Sequence, residues 1–157
     1  MHNGATISPM QSLRAEHKLI VSLQALLQQE QDLLVSADID SLEQVTPRKA
    51  ELINEMALQA NQRHRALGLA GFAPREAGMQ AWLDAHGTPE DVALWQDVLA
   101  QTREAKELNR LNGMLINRQL SHTQGALQAL RPQSQAGVYG PSGRPATNAV
   151  SRGFVAR

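Results

Sequence analysis

Apolar residues recur at helical spacing over most of the first half of the chain. The first stripe follows Ser8-Pro9, a pair that supplies an N-cap and a proline at the first helical position, and it continues to about Ser36. This spacing predicts a helix with one broad buried face, about 43 Å long at about 1.5 Å per residue. Its apolar members are Leu13, Leu19, Ile20, Leu23, Leu26, Leu27, Leu33 and Leu34.

A second stripe predicts a helix from about Asp40 to Leu67. Asp40 and Glu43 have the spacing of a capping box at its start. Pro47 interrupts the pattern: either Thr46-Pro47 restarts the helix, or Pro47 kinks it, and a kink or a short preceding turn is favoured. The short connection makes the first two helices antiparallel neighbours. The apolar members are Leu42, Val45, Leu52, Ile53, Met56, Ala60 and Leu67.

Two further helices follow. A short one is predicted over 74–85, and Thr88-Pro89 then marks the start of a last helix that runs to about Leu130. At about 60 Å, this helix exceeds the first by about 17 Å, so part of it has no obvious intramolecular cover. Its apolar stripe weakens across 101–107 and resumes at Leu108, Leu111, Leu115, Ile116, Leu120, Leu127 and Leu130.

The end of the chain has a different composition. Arg131-Pro132 ends the last helix, and residues 133–157 are rich in Gly, Ser, Pro and Arg, with few apolar residues. Such a segment buries too little surface to offset its ordering entropy, so we expect a flexible tail. The predicted fold is all-α: residues 1–132 form an antiparallel bundle of two N-terminal helices, a short connecting helix and one very long helix.

Composition and motifs argue against catalysis. The chain is 42% hydrophobic but only 3% aromatic, has no cysteine and carries a formal net charge of zero. It lacks phosphate-binding glycine loops and HExxH, and no histidine follows a glutamate at di-iron spacing. We therefore expect no enzyme activity, cofactor, metal site or nucleic-acid partner. Without a signal sequence or a membrane-length apolar run, a soluble cytoplasmic protein is expected.

Three segments together resemble the FlgN-like family of flagellar export chaperones. The first is Glu30, Leu33 and Leu34, followed by Asp38-x-Asp40-x-Leu42, Lys49 and Leu52. The second is Leu108-Asn-x-x-Asn-Gly-x-Leu-Ile116, inside the last helix. The third is Val138-Tyr139-Gly140-Pro-x-Gly143 with Ser151-Arg152 and Ala156. The first segment is shared by many bundles, whereas the second and third are more specific.

The resemblance implies a chaperone that binds hook–filament junction proteins, prevents their premature assembly and delivers them to the flagellar type III export gate. It places client binding in the second half of the last helix and the tail. A client's amphipathic C-terminal helix would pack on exposed apolar residues there, without membrane insertion. The candidate client-binding residues are Leu108, Asn112, Met114, Leu115, Ile116, Leu120, Leu127, Leu130 and Tyr139.

Other interpretations stay open from the sequence. The same leucines could pack on the first helix or across a homo-oligomer, which would make the protein a structural coiled-coil or adaptor dimer without a client. A small all-helical mutase would need several cations converging on a dicarboxylate. Arg14, Lys18 and Lys49 lie near apolar faces but lack the expected spacing, and fold analogy alone is weak support.

Overall fold

The computed structural model describes residues 7–131 and consists of helices joined by short connections. Its elements are α1 (Pro9–Ser36), α2 (Ile39–Leu69), α3 (Glu76–His86) and α4 (Pro89–Ala129). The predicted all-α bundle and its order of helices are confirmed. Within the described residues, the chain divides into two units, 7–115 and 116–131. The tail predicted at 133–157 lies outside the described residues.

Local capping explains where α1 and α4 begin. The Ser8 hydroxyl accepts a hydrogen bond from the backbone N–H of Met10 at 3.1 Å, ahead of a proline at the helix start. At α4, the N–H of Asp91 donates to the Thr88 hydroxyl and the N–H of Thr88 donates to the Asp91 carboxylate, both at 3.1 Å. These side chains satisfy N–H groups that have no partner within the helix, as the sequence predicted.

The α1–α2 turn differs from the prediction. Ala37 adopts a left-handed conformation with φ 56°, and the N–H of Asp38 donates to the Leu33 carbonyl at 3.0 Å, which closes α1 in a Schellman motif. Asp38 then caps α2 by accepting from the N–H of Ser41 at 3.2 Å. The predicted Asp40–Glu43 capping box was wrong, because Asp40 already lies in the first turn of α2.

Helix α2 continues through Pro47. The structure therefore contradicts a restart at Thr46, whose hydroxyl instead donates to the Leu42 carbonyl at 3.2 Å. Pro47 has no N–H to offer the Glu43 carbonyl, four residues earlier. Both residues are exposed, so water can satisfy that carbonyl.

Pairing between helices fixes their directions in the first unit. Glu30 of α1 contacts Lys49 of α2, and Glu16 contacts Arg63, so α1 and α2 are antiparallel. His17 contacts Asp97, and the Leu27 carbonyl accepts from Asn112, so α4 runs parallel to α1. Two apolar clusters fill the space between the helices. The first contains Met10, Leu13, Leu67, Met79, Leu83, Trp95 and Val98, and the second contains Ile20, Leu23, Leu27, Leu52 and Ala105.

Candidate binding surface

The second unit exposes a row of apolar side chains on α4. No residue from Ile116 to Arg131 is buried. Ile116, Leu120, Leu127 and Leu130 are 37%, 55%, 62% and 81% exposed. At about 100° per residue, these four lie within about 80° of one another on the helix. We call them the leucine stripe. Single exposed leucines are ordinary, but a row on one face is typical of a docking surface.

The spacing and flanks of the leucine stripe define its chemistry. The steps between successive members are four, seven and three residues, which match the a and d positions of a heptad, with Thr123 at the missing position. Arg118 is the only Lys, Arg, Asp or Glu between Ile116 and Leu130. The surface therefore offers apolar contact at coiled-coil spacing with almost no charge of its own.

The remaining candidate residues have other environments. Leu108 is half-buried against the second core cluster, Leu115 is half-buried, and Met114 is 51% exposed. Asn112 is fully buried. Tyr139 lies outside the described residues. The structure thus brings four of the nine candidates together on one face and places Asn112 away from solvent. Client binding by any of them stays a prediction.

Asn112 belongs to a polar network that joins three helices. Its Nδ2 donates to the Leu27 carbonyl at 2.8 Å and to Glu30 Oε1 at 2.9 Å. The Lys49 ammonium donates to Glu30 Oε2 at 3.0 Å and to Asn109 Oδ1 at 3.1 Å. Glu30 is 2% exposed, and these donors offset the cost of burying its charge. Asn109 and Asn112 therefore hold α4 against α1 and α2.

A second buried network surrounds Arg63, which is 1% exposed. Glu16 accepts two hydrogen bonds from the guanidinium at 2.6 and 3.1 Å, and Glu76 lies 2.7 Å from Nη1. The guanidinium carbon lies 4.9 Å from the ring centre of Trp95. Arg63 of α2 thus contacts α1, α3 and α4.

The charges around Arg63 shift pKa values in opposite directions. Burial alone lowers the pKa of Arg63, but hydrogen bonds and attraction from Glu16 and Glu76 outweigh it, so the pKa is raised. Burial alone raises the pKa of Glu76, but Arg63 and His64 outweigh it, so the pKa is lowered. Both shifts favour the charged forms, as expected of an ion pair with a structural role.

Sequence reasoning missed the Arg63 network, although a signal was present. Glu16 lies three residues after Leu13 and four before Ile20, and Arg63 lies four before Leu67. Both charged residues therefore occupy helix positions that the apolar pattern assigns to the core. Opposite charges on the buried faces of two predicted antiparallel helices indicate a buried pair.

Within residues 7–131, no three His, Cys, Asp or Glu side chains group as ligands for a metal ion. Over the same range, no helix combines the length and apolar character required to cross a bilayer. Lys49, one of the three cations considered for a mutase, is paired with Glu30 and Asn109.

Comparison with known proteins gives the family. The FlgN protein family model matches residues 1–147. Flagella synthesis protein FlgN of Salmonella typhimurium is 27% identical over 125 residues, 78% of this chain and 79% of that protein, and the Salmonella typhi protein of the same name gives the same values. The Escherichia coli protein of that name is 32% identical over 53 residues, 34% of this chain and 38% of the relative. No solved structure gives a significant match. Because the family model spans nearly the whole sequence, the chain belongs to the FlgN family, as its motifs predicted.

Proposed function

We propose that this protein is a cytoplasmic flagellar export chaperone that acts by binding and not by catalysis. Its clients are hook–filament junction proteins, which it keeps from assembling prematurely and delivers to the flagellar type III export gate. The leucine stripe is the observation that carries the proposal. Family membership supports the flagellar context, because the curated relatives are flagella synthesis proteins.

Physical chemistry links the leucine stripe to this role. Four large apolar side chains on one face contact water, and burial gains roughly 25 cal/mol per Å² of apolar surface. An amphipathic C-terminal helix of a junction protein has a complementary apolar face, and its burial against α4 would remove both surfaces from water. The client's own assembly surface would then be covered until export.

The test is binding of a junction protein from the same bacterium to the full chain, measured by isothermal titration calorimetry. We expect Leu120→Ser combined with Leu127→Ser to weaken binding by about a hundredfold, because two anchor side chains are lost. The matched control is Leu58→Ser combined with Leu69→Ser, which changes two exposed leucines of α2 and should leave affinity unchanged.

Two outcomes would contradict the proposal. The intact chain could fail to bind any junction protein, or the stripe variant could bind as tightly as the control. Light scattering with and without client addresses the adaptor alternative: a stable dimer that uses the leucine stripe and ignores the client would favour that reading.

A further inference from the structure

An open apolar groove lies among the helices of the first unit, separate from the leucine stripe. Helix α1 contributes the buried side chains of Ile20, Leu23 and Leu27, and α2 contributes Met56 and Ile53, which is 44% exposed. The groove has a volume of about 230 Å³. This is below the roughly 300–1,000 Å³ typical of small-molecule sites. It fits a few side chains of a docked helix better than a cofactor.

The α4 side of the groove carries hydrogen-bond donors. Lys106 lines the groove and makes no hydrogen bond or ion pair within residues 7–131. Its neighbours three and four positions away along α4 include Arg103 and Arg110 but no acidic residue. Asn109 also lines it, and its Oδ1 already accepts from the Lys49 ammonium, so its Nδ2 remains to donate. No lining residue carries a carboxylate. The groove therefore combines apolar walls with a positively charged edge that has no carboxylate partner among the lining residues.

We propose that this groove binds an amphipathic helix of a partner protein that carries an Asp or Glu beside its apolar face. Apolar side chains three, four and seven residues apart would enter the groove, and the carboxylate would pair with Lys106. The charge of the edge selects an acidic helix over a basic one. This site is independent of the leucine stripe and does not rest on the chaperone proposal.

The segments outside the first unit's helices lack the charge that the groove requires. Glu107 is the last acidic residue, and the 50 residues after it contain six arginines and no Asp or Glu. Residues 1–6 contain no acidic residue either. Neither end of the chain, nor the leucine-stripe segment of a second copy, supplies the side-chain carboxylate that Lys106 requires. Charge complementarity therefore disfavours these segments and favours a partner helix that carries an acidic residue beside its apolar face.

The experiment uses two fluorescein-labelled helical peptides that share leucines at heptad spacing and differ only in flanking Glu or Lys. Fluorescence anisotropy measures their binding to the full chain. We expect the Glu peptide to bind about tenfold more tightly than the Lys peptide, and Lys106→Glu to reverse that preference. Lys18→Glu, an exposed α1 change off the groove, should leave the preference unchanged.

Substitution of the groove wall separates this site from the leucine stripe. Ile53→Glu should weaken binding of the Glu peptide about tenfold or more. Leu58→Glu changes an exposed α2 residue outside the groove lining and should leave binding of this peptide unchanged. Equal binding of the two peptides, or loss of binding only in the Leu120→Ser, Leu127→Ser variant, would overturn the groove proposal and leave the chaperone proposal standing. Lys106→Glu keeps the test decisive if Ile53→Glu unfolds, because Lys106 is exposed.

Discussion

Helix α4 carries large apolar residues on both sides of Leu115, but they meet different surroundings. Before that point Trp95, Val98 and Ala105 are buried, and Asn112 is enclosed by a hydrogen-bond network. From Ile116 onward no described residue is buried. The first part carries the buried core residues of α4, whereas the second part carries none. Apolar side chains of one helix therefore contribute to the core in the first region and face solvent in the second.

The largest expected effect lies in the buried part of the molecule. Arg63→Leu should lower the free energy of unfolding by about 3–5 kcal/mol, because it leaves the Glu16 carboxylate buried without its partner. Urea unfolding followed by circular dichroism measures this. Arg65→Leu, an exposed change on the same helix, serves as the control and should shift stability by less than about 0.5 kcal/mol. Similar results for both variants would show that the Arg63 network is dispensable.

A smaller loss in the free energy of unfolding is expected at Asn112, the last buried residue of α4. Asn112→Ala removes the donor to the Leu27 carbonyl and to Glu30, so it should cost about 1–3 kcal/mol. Asn117→Ala, an exposed asparagine on the same helix, should change stability by less than about 0.5 kcal/mol. Chemical denaturation of the two variants compares them, and an unchanged midpoint for Asn112→Ala would count against the network.

The smallest expected effect is a gain in the exposed part. A Cβ added at Gly125 meets no atom within 4 Å, so Gly125→Ala should stabilise the local helix by about 0.5–1 kcal/mol. Slower hydrogen exchange of amides near residue 125 would report it. Gly78→Ala should instead destabilise the first unit, because its Cβ would lie 1.9 Å from the Ala73 carbonyl oxygen. Equal effects of the two changes would erase the contrast between the regions.

Local signals explain which parts of the fold were predictable. Ser8-Pro9 and Thr88-Pro89 determine helix starts through contacts within a few residues, so the sequence alone places them. The cap of α2 was predicted wrongly, at Asp40 instead of Asp38, because both aspartates are able to cap a helix. Only the geometry of the turn decides between them.

The candidate site was predictable only where it depends on helix length and spacing. The exposure of the leucine stripe agrees with the expectation that the last helix extends beyond the helices that could cover it. The burial of Asn112 did not follow, because its partners Leu27 and Glu30 are more than 80 positions earlier in the chain. Unlike the opposite charges of Glu16 and Arg63, a single uncharged asparagine in a helical pattern does not show whether a distant carboxylate will accept its hydrogen bond.

Arg63 sets an order on assembly during synthesis. Its partner Glu16 leaves the ribosome before it, but Glu76 and Trp95 follow later. A nascent α1–α2 hairpin therefore contains Arg63 before its partners Glu76 and Trp95 have been synthesised. The Arg63 network cannot be completed before residue 95 has been synthesised, so a truncated α1–α2 hairpin would be a poor substitute for the whole molecule.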